Sequence, residues 1–200
     1  FDAVVVGPGL SRTEEVCALV RNLYEMLPLP AVFDGDALYA LSRGESAQLS
    51  RGSARIITPH VGEARNLLVA AEGEGGPARA QSLDILRGSE RLAELFHAVC
   101  VLKSSSTIVA GPHGKKGFLL PHGTSVLATA GTGDLLSGAL GAFLAAGMVA
   151  EKAAVGGVLV QQAAARSATE ALSGRPLRAT ELVPFVSNVV EGLCEPERGC

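Results

Sequence analysis

Short β-branched runs alternate along the chain with stretches whose apolar residues recur every three or four positions. The first run, at residues 3–6 (AVVV), ends at Gly7, Pro8 and Gly9, which predicts a fully buried parallel strand meeting a tight turn. Thr13 then precedes Glu14 and Glu15, and Val16, Leu19, Val20 and Leu23 follow at helical spacing, so Thr13 caps a helix that Pro28 and Pro30 stop. Further strands are expected at 31–33, 54–57, 99–102, 107–110 and 118–120. Helices are expected from Glu63, over 87–97, over 153–171 and over 180–191, with a frayed tail behind the last. Leu135, Leu136, Leu140, Phe143, Leu144 and Met148 predict a buried helix over 135–150. Residues 72–77 (EGEGGP) are expected to form a flexible surface insert, and 111–116 (GPHGKK) a hairpin-like loop.

Strands alternating with helices predict an α/β fold with a mostly parallel sheet covered on both faces. In such a fold the polar loops gather at the carboxyl ends of the strands. No repeat and no domain-scale linker interrupts the pattern, so residues 1–200 read as one domain. Hydrophobic residues make up 48% of the chain, enough for a real core. A net charge of -3 argues against a dedicated nucleic-acid binder. No run of apolar residues is long enough to predict a membrane span. Cys17, Cys100, Cys194 and Cys200 form no paired or metal-binding spacing, which predicts reduced thiols and a reducing compartment. The chain starts at Phe1 inside a predicted strand and without Met, as expected of a fragment.

The stretch 127–138 (LATAGTGDLLSG) carries the most chemistry. Gly131 and Gly133 let the backbone turn so that several N–H groups converge on one anion, at the N-terminus of the predicted helix. Asp134 places a carboxylate in the first turn, where it can accept a proton from a hydroxyl beside a phosphate. The same residues also suit a plain turn with Asp134 as a cap. Two other nucleotide motifs are excluded. Residues 7–12 lack the third glycine of the dinucleotide fingerprint, and 111–115 lack Walker A spacing.

Asp34 and Asp36 follow a strand and flank Gly35, which suits either a ribose hydroxyl, a water-held Mg²⁺ ion, or a cap and turn. No metal ligand is assigned. His60 ends one strand, as a substrate contact or a solvent-facing loop residue. Glu63 fits a capping box or a magnesium-side carboxylate. Lys103 ends another strand, where its ammonium reaches a phosphate or snorkels to water. His97, His113 and His122 lack ligand spacing and are assigned no role.

Five segments in this order resemble the ribokinase-like superfamily, and within it the ATP- or ADP-dependent NAD(P)H-hydrate dehydratases. They are VVVGPGL (4–10), FDGDAL (33–38), ITPHVGEARNL (57–67), VLKSSSTIVAG (101–111) and LATAGTGDLLSG (127–138). GTGD marks only the superfamily, whereas the TPH-x-GE segment combined with LATAGTGD is more specific to the dehydratases. The resemblance implies a three-layer α/β/α sandwich. It also implies repair of hydrated NADH or NADPH, through phosphorylation of the added hydroxyl and elimination of phosphate, with ATP or ADP and Mg²⁺.

Carried over residue by residue, Asp134 would take the hydroxyl proton, and the Gly131 and Gly133 amides would form the anion hole. Gly9, His60, Val61, Gly62, Glu63, Ala64, Arg65 and Asn66, with Asp134, would contact the hydrated cofactor. Lys103, Ser104, Ser105, Ser106 and Thr107, with Thr124, Ala130, Gly131, Thr132 and Gly133, would hold the adenine nucleotide. Ser11, Gly35, Val61, Ser104 and residues 124–126 depart from the residues usual in the family, and Ser104 and Thr124 lie beside the expected nucleotide. Only the resemblance implies a homo-oligomer and an upstream strand and helices that complete the sheet; the expected location is cytoplasmic, or mitochondrial if a targeting segment lies upstream. Without that upstream part, low or no activity is expected. The alternatives are a thiazole or hydroxymethylpyrimidine kinase of the same fold, and a catalytically silent nucleotide-binding module.

Overall fold

The computed structural model describes residues 1–43, 53–72, 84–113, 117–121, 124–172 and 175–194. Their strands form one sheet: β1 (Val4–Val6), β2 (Ala31–Phe33), β3 (Arg55–Ile57), β4 (Val99–Leu102), β5 (Thr107–Ala110) and β6 (Phe118–Leu120), in sequential order. β1 to β4 run parallel, and β5 and β6 join antiparallel. β5 and β6 thus pair antiparallel on either side of the loop expected at 111–116, of which residues 114–116 lie outside the described set.

Strand alternation divides the core into two layers. Ala31, Phe33, Ile57, Cys100 and Leu102 face α1 (Glu14–Met26), α2 (Asp36–Leu41), α3 (Val61–Glu72) and α4 (Ile85–Phe96). Val32, Ile56, Val99 and Val101 face α5 (Thr132–Ala145) and α6 (Ala150–Ala171). A third cluster packs α7 (Ala179–Cys194) onto the end of α6 and onto a single 3-10 turn, Ser125–Ala128. The expected sandwich is thus observed, with helices on both faces of a mostly parallel sheet.

Thr13 caps α1 as its sequence predicts, its hydroxyl accepting from Val16 N–H at 3.4 Å. Four expectations are corrected. β1 is not fully buried: it is an edge strand among the described residues, and Val5 is 39% exposed. The apolar stretch 135–150 is not one helix, because Gly147 turns with φ 84° and leaves Met148 between α5 and α6. The last helix runs to Cys194 and not to about Glu191, and the expected frayed tail at 195–200 lies outside the described residues. Six residues after β2 form α2, which the sequence did not announce. Beyond Glu72, the expected insert at 72–77 lies outside the described residues, as do His122 and Cys200. Cys17 and Cys100 are buried free thiols and Cys194 is an exposed one.

Arg55 supplies the one cation sealed in this core among the described residues. Its guanidinium donates to the carbonyls of Tyr24, Leu27 and Leu29 at 2.6–3.0 Å, capping the end of α1 with positive charge. The Tyr24 hydroxyl donates to Phe96 O at 2.6 Å, which ties α1 to the end of α4.

Candidate active site

The carboxyl ends of β2, β3 and β4 meet the N-terminus of α5. Gly131 is the N-cap of α5 in the left-handed region, at φ 88°, a conformation that costs glycine least. Thr132 locks the turn: its N–H donates to Thr129 O at 3.3 Å, and its hydroxyl lies 2.7 Å from Leu127 O and 2.8 Å from Thr129 O. From α6, the buried Gln161 donates its amide to Thr132 O at 2.6 Å. The N–H groups of Gly133 and Asp134 then stand at the helix start with no carbonyl of the preceding turn to receive them. Of the two amides expected in the anion hole, that of Gly133 is one of these helix-start donors, whereas Gly131 is the N-cap residue, and the second helix-start donor is Asp134. The Asp134 side chain is exposed beside them and has no ion-pair or hydrogen-bond partner among the described residues.

Beneath the turn lies a buried ionic network. Asp34 Oδ1 accepts from Lys103 Nζ at 2.9 Å, and Oδ2 accepts from Ser137 Oγ at 2.7 Å. Burial pushes the Asp34 carboxyl up. The Lys103 charge and hydrogen bonds from Lys103, Ser137 and Thr58 outweigh it, and hold the group below the ordinary carboxylate range. Gly133 presses on this pair: a Cβ there would lie 3.4 Å from Lys103 Nζ and 3.7 Å from Asp34 Oδ2.

A cleft of about 500 Å³ opens on one side, lined by Lys103, Ser104, Ser105, Thr107, Thr124, Ser125, Leu127, Ala128, Thr132, Gly133, Leu136 and Gln161. Most of the residues expected to hold a nucleotide are gathered there. Ser106, Ala130 and Gly131 are not among its lining residues. Thr124 Oγ1 is buried and has no hydrogen-bond partner among the described residues, so a polar ligand group in the cleft would satisfy it.

A second recess of about 330 Å³ is lined by Arg12, Gly35, Leu38, Tyr39, Ser42, His60, Gly62, Glu63, Arg65 and Asn66. It borders the first at the strand ends, where His60 and Lys103 form a parallel β-bridge and Lys103 N–H donates to Pro59 O at 2.8 Å. His60 Nδ1 accepts from Gly62 N–H at 3.0 Å, while Glu63 Oε2 accepts from His60 N–H at 2.8 Å. Glu63 is therefore the capping-box partner of α3. Ala64 is fully buried and Val61 packs against the core, so these two side chains point away from the recess. Gly9 is exposed in the loop after β1, at φ 69°.

The two carboxylates of residues 34–36 do not share a site, which corrects the reading of them as a ribose or Mg²⁺ pair. Asp34 is committed to Lys103 and Ser137. Asp36 Oδ1 accepts from Arg12 Nε at 2.7 Å and its Oδ2 from Ser11 N–H at 3.1 Å, which fixes the loop after β1. Lys103 likewise does not snorkel freely. Ser137 and Gln161 were missed at the sequence level, although a buried Gln pair in an Ala-rich helix was a visible signal.

Two recesses, a helix start with unpaired amides and an exposed carboxylate are thus gathered at one end of the sheet. The profile of a family described as NAD(P)H-hydrate dehydratase matches residues 1–184. The chain belongs to that family. The bifunctional NAD(P)H-hydrate repair enzyme of Salinibacter ruber is 37% identical over 190 residues, covering 94% of this chain and 33% of that protein. The enzyme of the same description from Moorella thermoacetica is 32% identical over 194 residues, covering 97% of this chain and 35% of that protein. The chain thus spans about a third of the length of these curated relatives. A crystal structure of ADP/ATP-dependent NAD(P)H-hydrate dehydratase from Bacillus subtilis, co-crystallized with ATP/Mg²⁺ and soaked with CoA, superposes with a TM-score of 0.80 at 28% identity, over 96% of this chain and 66% of that one. A ribokinase-like superfamily protein from Enterococcus faecalis superposes with a TM-score of 0.74 at 21% identity, over 98% of this chain and 64% of that one, so the fold is ribokinase-like.

Proposed function

We propose that this protein restores NADH or NADPH from the hydrated cofactor, with Asp134 as base and ATP or ADP as phosphoryl donor. The observation that carries the reading is the exposed Asp134 carboxylate, unpartnered among the described residues, in the first turn of α5 next to Gly133, which lines the larger cleft. The nucleotide fits the larger cleft, whose polar turn at Lys103, Ser104 and Ser105 faces the orphaned Thr124 hydroxyl. The hydrated cofactor fits the smaller recess beside His60, Arg65 and Asn66.

When bound with Mg²⁺, the nucleotide supplies its terminal phosphoryl group to the ring hydroxyl, and later loss of that group as phosphate breaks the carbon–oxygen bond. The residues of this chain do the remaining work. Asp134 takes the hydroxyl proton as the new oxygen–phosphorus bond forms. The Gly133 and Asp134 amides, with the partial positive charge of the α5 terminus, hold the anionic oxygens. Thr132 and Gln161 keep those amides in place before substrate arrives, so little reorganisation accompanies the reaction. The free thiols of Cys17 and Cys100 suit a reducing compartment, in keeping with a cytoplasmic location.

Asp134→Asn tests the assignment. Loss of the base is expected to lower kcat by about a thousandfold while leaving the nucleotide dissociation constant nearly unchanged. Full turnover by the variant would remove Asp134 from the mechanism.

A further inference from the structure

The Asp34–Lys103 pair has a feature that an ordinary structural ion pair does not need. Its carboxylate is closed off, with 3% side-chain exposure, while the lysine retains 24% and lines the larger cleft. An ammonium has three donors, and one goes to Asp34 Oδ1. Gly133 leaves open the space directly above Nζ that a side chain would fill. Ser137 holds the far oxygen of Asp34, so the carboxylate cannot rotate away. Without that anchor, a flexible four-carbon stem would let the ammonium slide outward along the cleft to water or to outer phosphates.

We propose that Asp34 is a positioning residue, which aims the Lys103 ammonium at the phosphoryl group held in the glycine turn, so that Lys103 stabilises that group during transfer. The inference rests on the phosphoryl-transfer reading above. In that step the acceptor hydroxyl oxygen bonds to the terminal phosphorus as the bridging phosphorus–oxygen bond breaks. The hydroxyl proton passes to Asp134, and the departing nucleoside phosphate keeps the electron pair. Negative charge on the transferring group lies at the α5 terminus, within reach of a cation fixed beneath Gly133. Asp34 touches no substrate and acts only through Lys103.

A double-mutant cycle separates this role from a structural one. Asp34→Asn, Lys103→Met and the double variant are titrated calorimetrically with Mg²⁺–ADP alone, and again with aluminium fluoride added as a mimic of the transferring phosphoryl group. Thermal melts of each variant report folding. The natural protein is expected to bind ADP at least about tenfold tighter with the fluoride present. Each single variant should lose that advantage, the ratio of the two affinities falling to near one whatever happens to ADP alone, and the double variant should lose no more than Lys103→Met. Additive losses, equal weakening of ADP alone, or no fluoride advantage in the natural protein would each overturn the proposal. If Asp34→Asn does not fold, Ser137→Ala frees one carboxylate oxygen and keeps both charges. It should lose part of the advantage, and an unchanged advantage would count against the role. The binding cycle is independent of the cofactor repaired: a protein that passes it yet leaves hydrated NADH untouched contradicts the substrate reading and keeps this one.

Discussion

Gly7 shows how tightly single residues hold the site. It sits at φ 130°, and a Cβ there would lie 1.7 Å from the carbonyl oxygen of Asp34. Both the backbone conformation and the contact exclude any other residue, since the obstacle is main chain rather than a movable side chain. Gly7→Ala is therefore expected to cost about 3 kcal/mol or more, and to displace Asp34 with it. Denaturant unfolding measures the cost; a midpoint equal to that of the natural protein would mean the loop after β1 adapts. Among site residues, Asp134 and Gly133 were legible because GTGD stands next to a helical pattern. The partners of Asp34 were not, since Lys103 and Ser137 lie 69 and 103 positions away and only the fold brings them together.

The elements were legible wherever a run of β-branched residues or a long apolar period marked them, as in β2, β4, β5 and α1. Three features escaped for physical reasons. α2 has six residues, fewer than two turns, which is too short for a period to emerge. Exposure of β1 depends on its place at the sheet edge among the described residues, and a three-residue strand does not carry that information. Met148 kept the apolar spacing of α5, but Gly147 had already ended the helix. The helix pair α5 and α6 also carries a prediction. The amide of Gln161 is the side-chain donor that holds the Thr132 carbonyl, and so links α6 to the anion-binding turn. Gln161→Met keeps the volume and removes the donor, which should cost about 1 kcal/mol of stability and weaken ADP binding by about fivefold. Unfolding and calorimetric titration read the two effects separately. Lost stability with unaltered ADP affinity would confine Gln161 to the core.

At the scale of the molecule, the fold separates structure from chemistry. The two hydrophobic layers lie on either side of the sheet, and the polar groups of the site gather at the carboxyl ends of β2, β3 and β4. The larger cleft reaches the α5 terminus through Thr132 and Gly133, and the smaller recess opens beside Gly35 and His60 at the ends of β2 and β3. Among the described residues no helix is long and apolar enough to cross a membrane. The measurement that tests the account most directly follows the near-ultraviolet absorbance of reduced nicotinamide after the protein is mixed with hydrated NADH and Mg²⁺, with and without ATP or ADP. The account predicts recovery of NADH only when a nucleotide is present, with free phosphate released in equal amount. A stable phosphorylated product without NADH, or no change with either nucleotide, would contradict it.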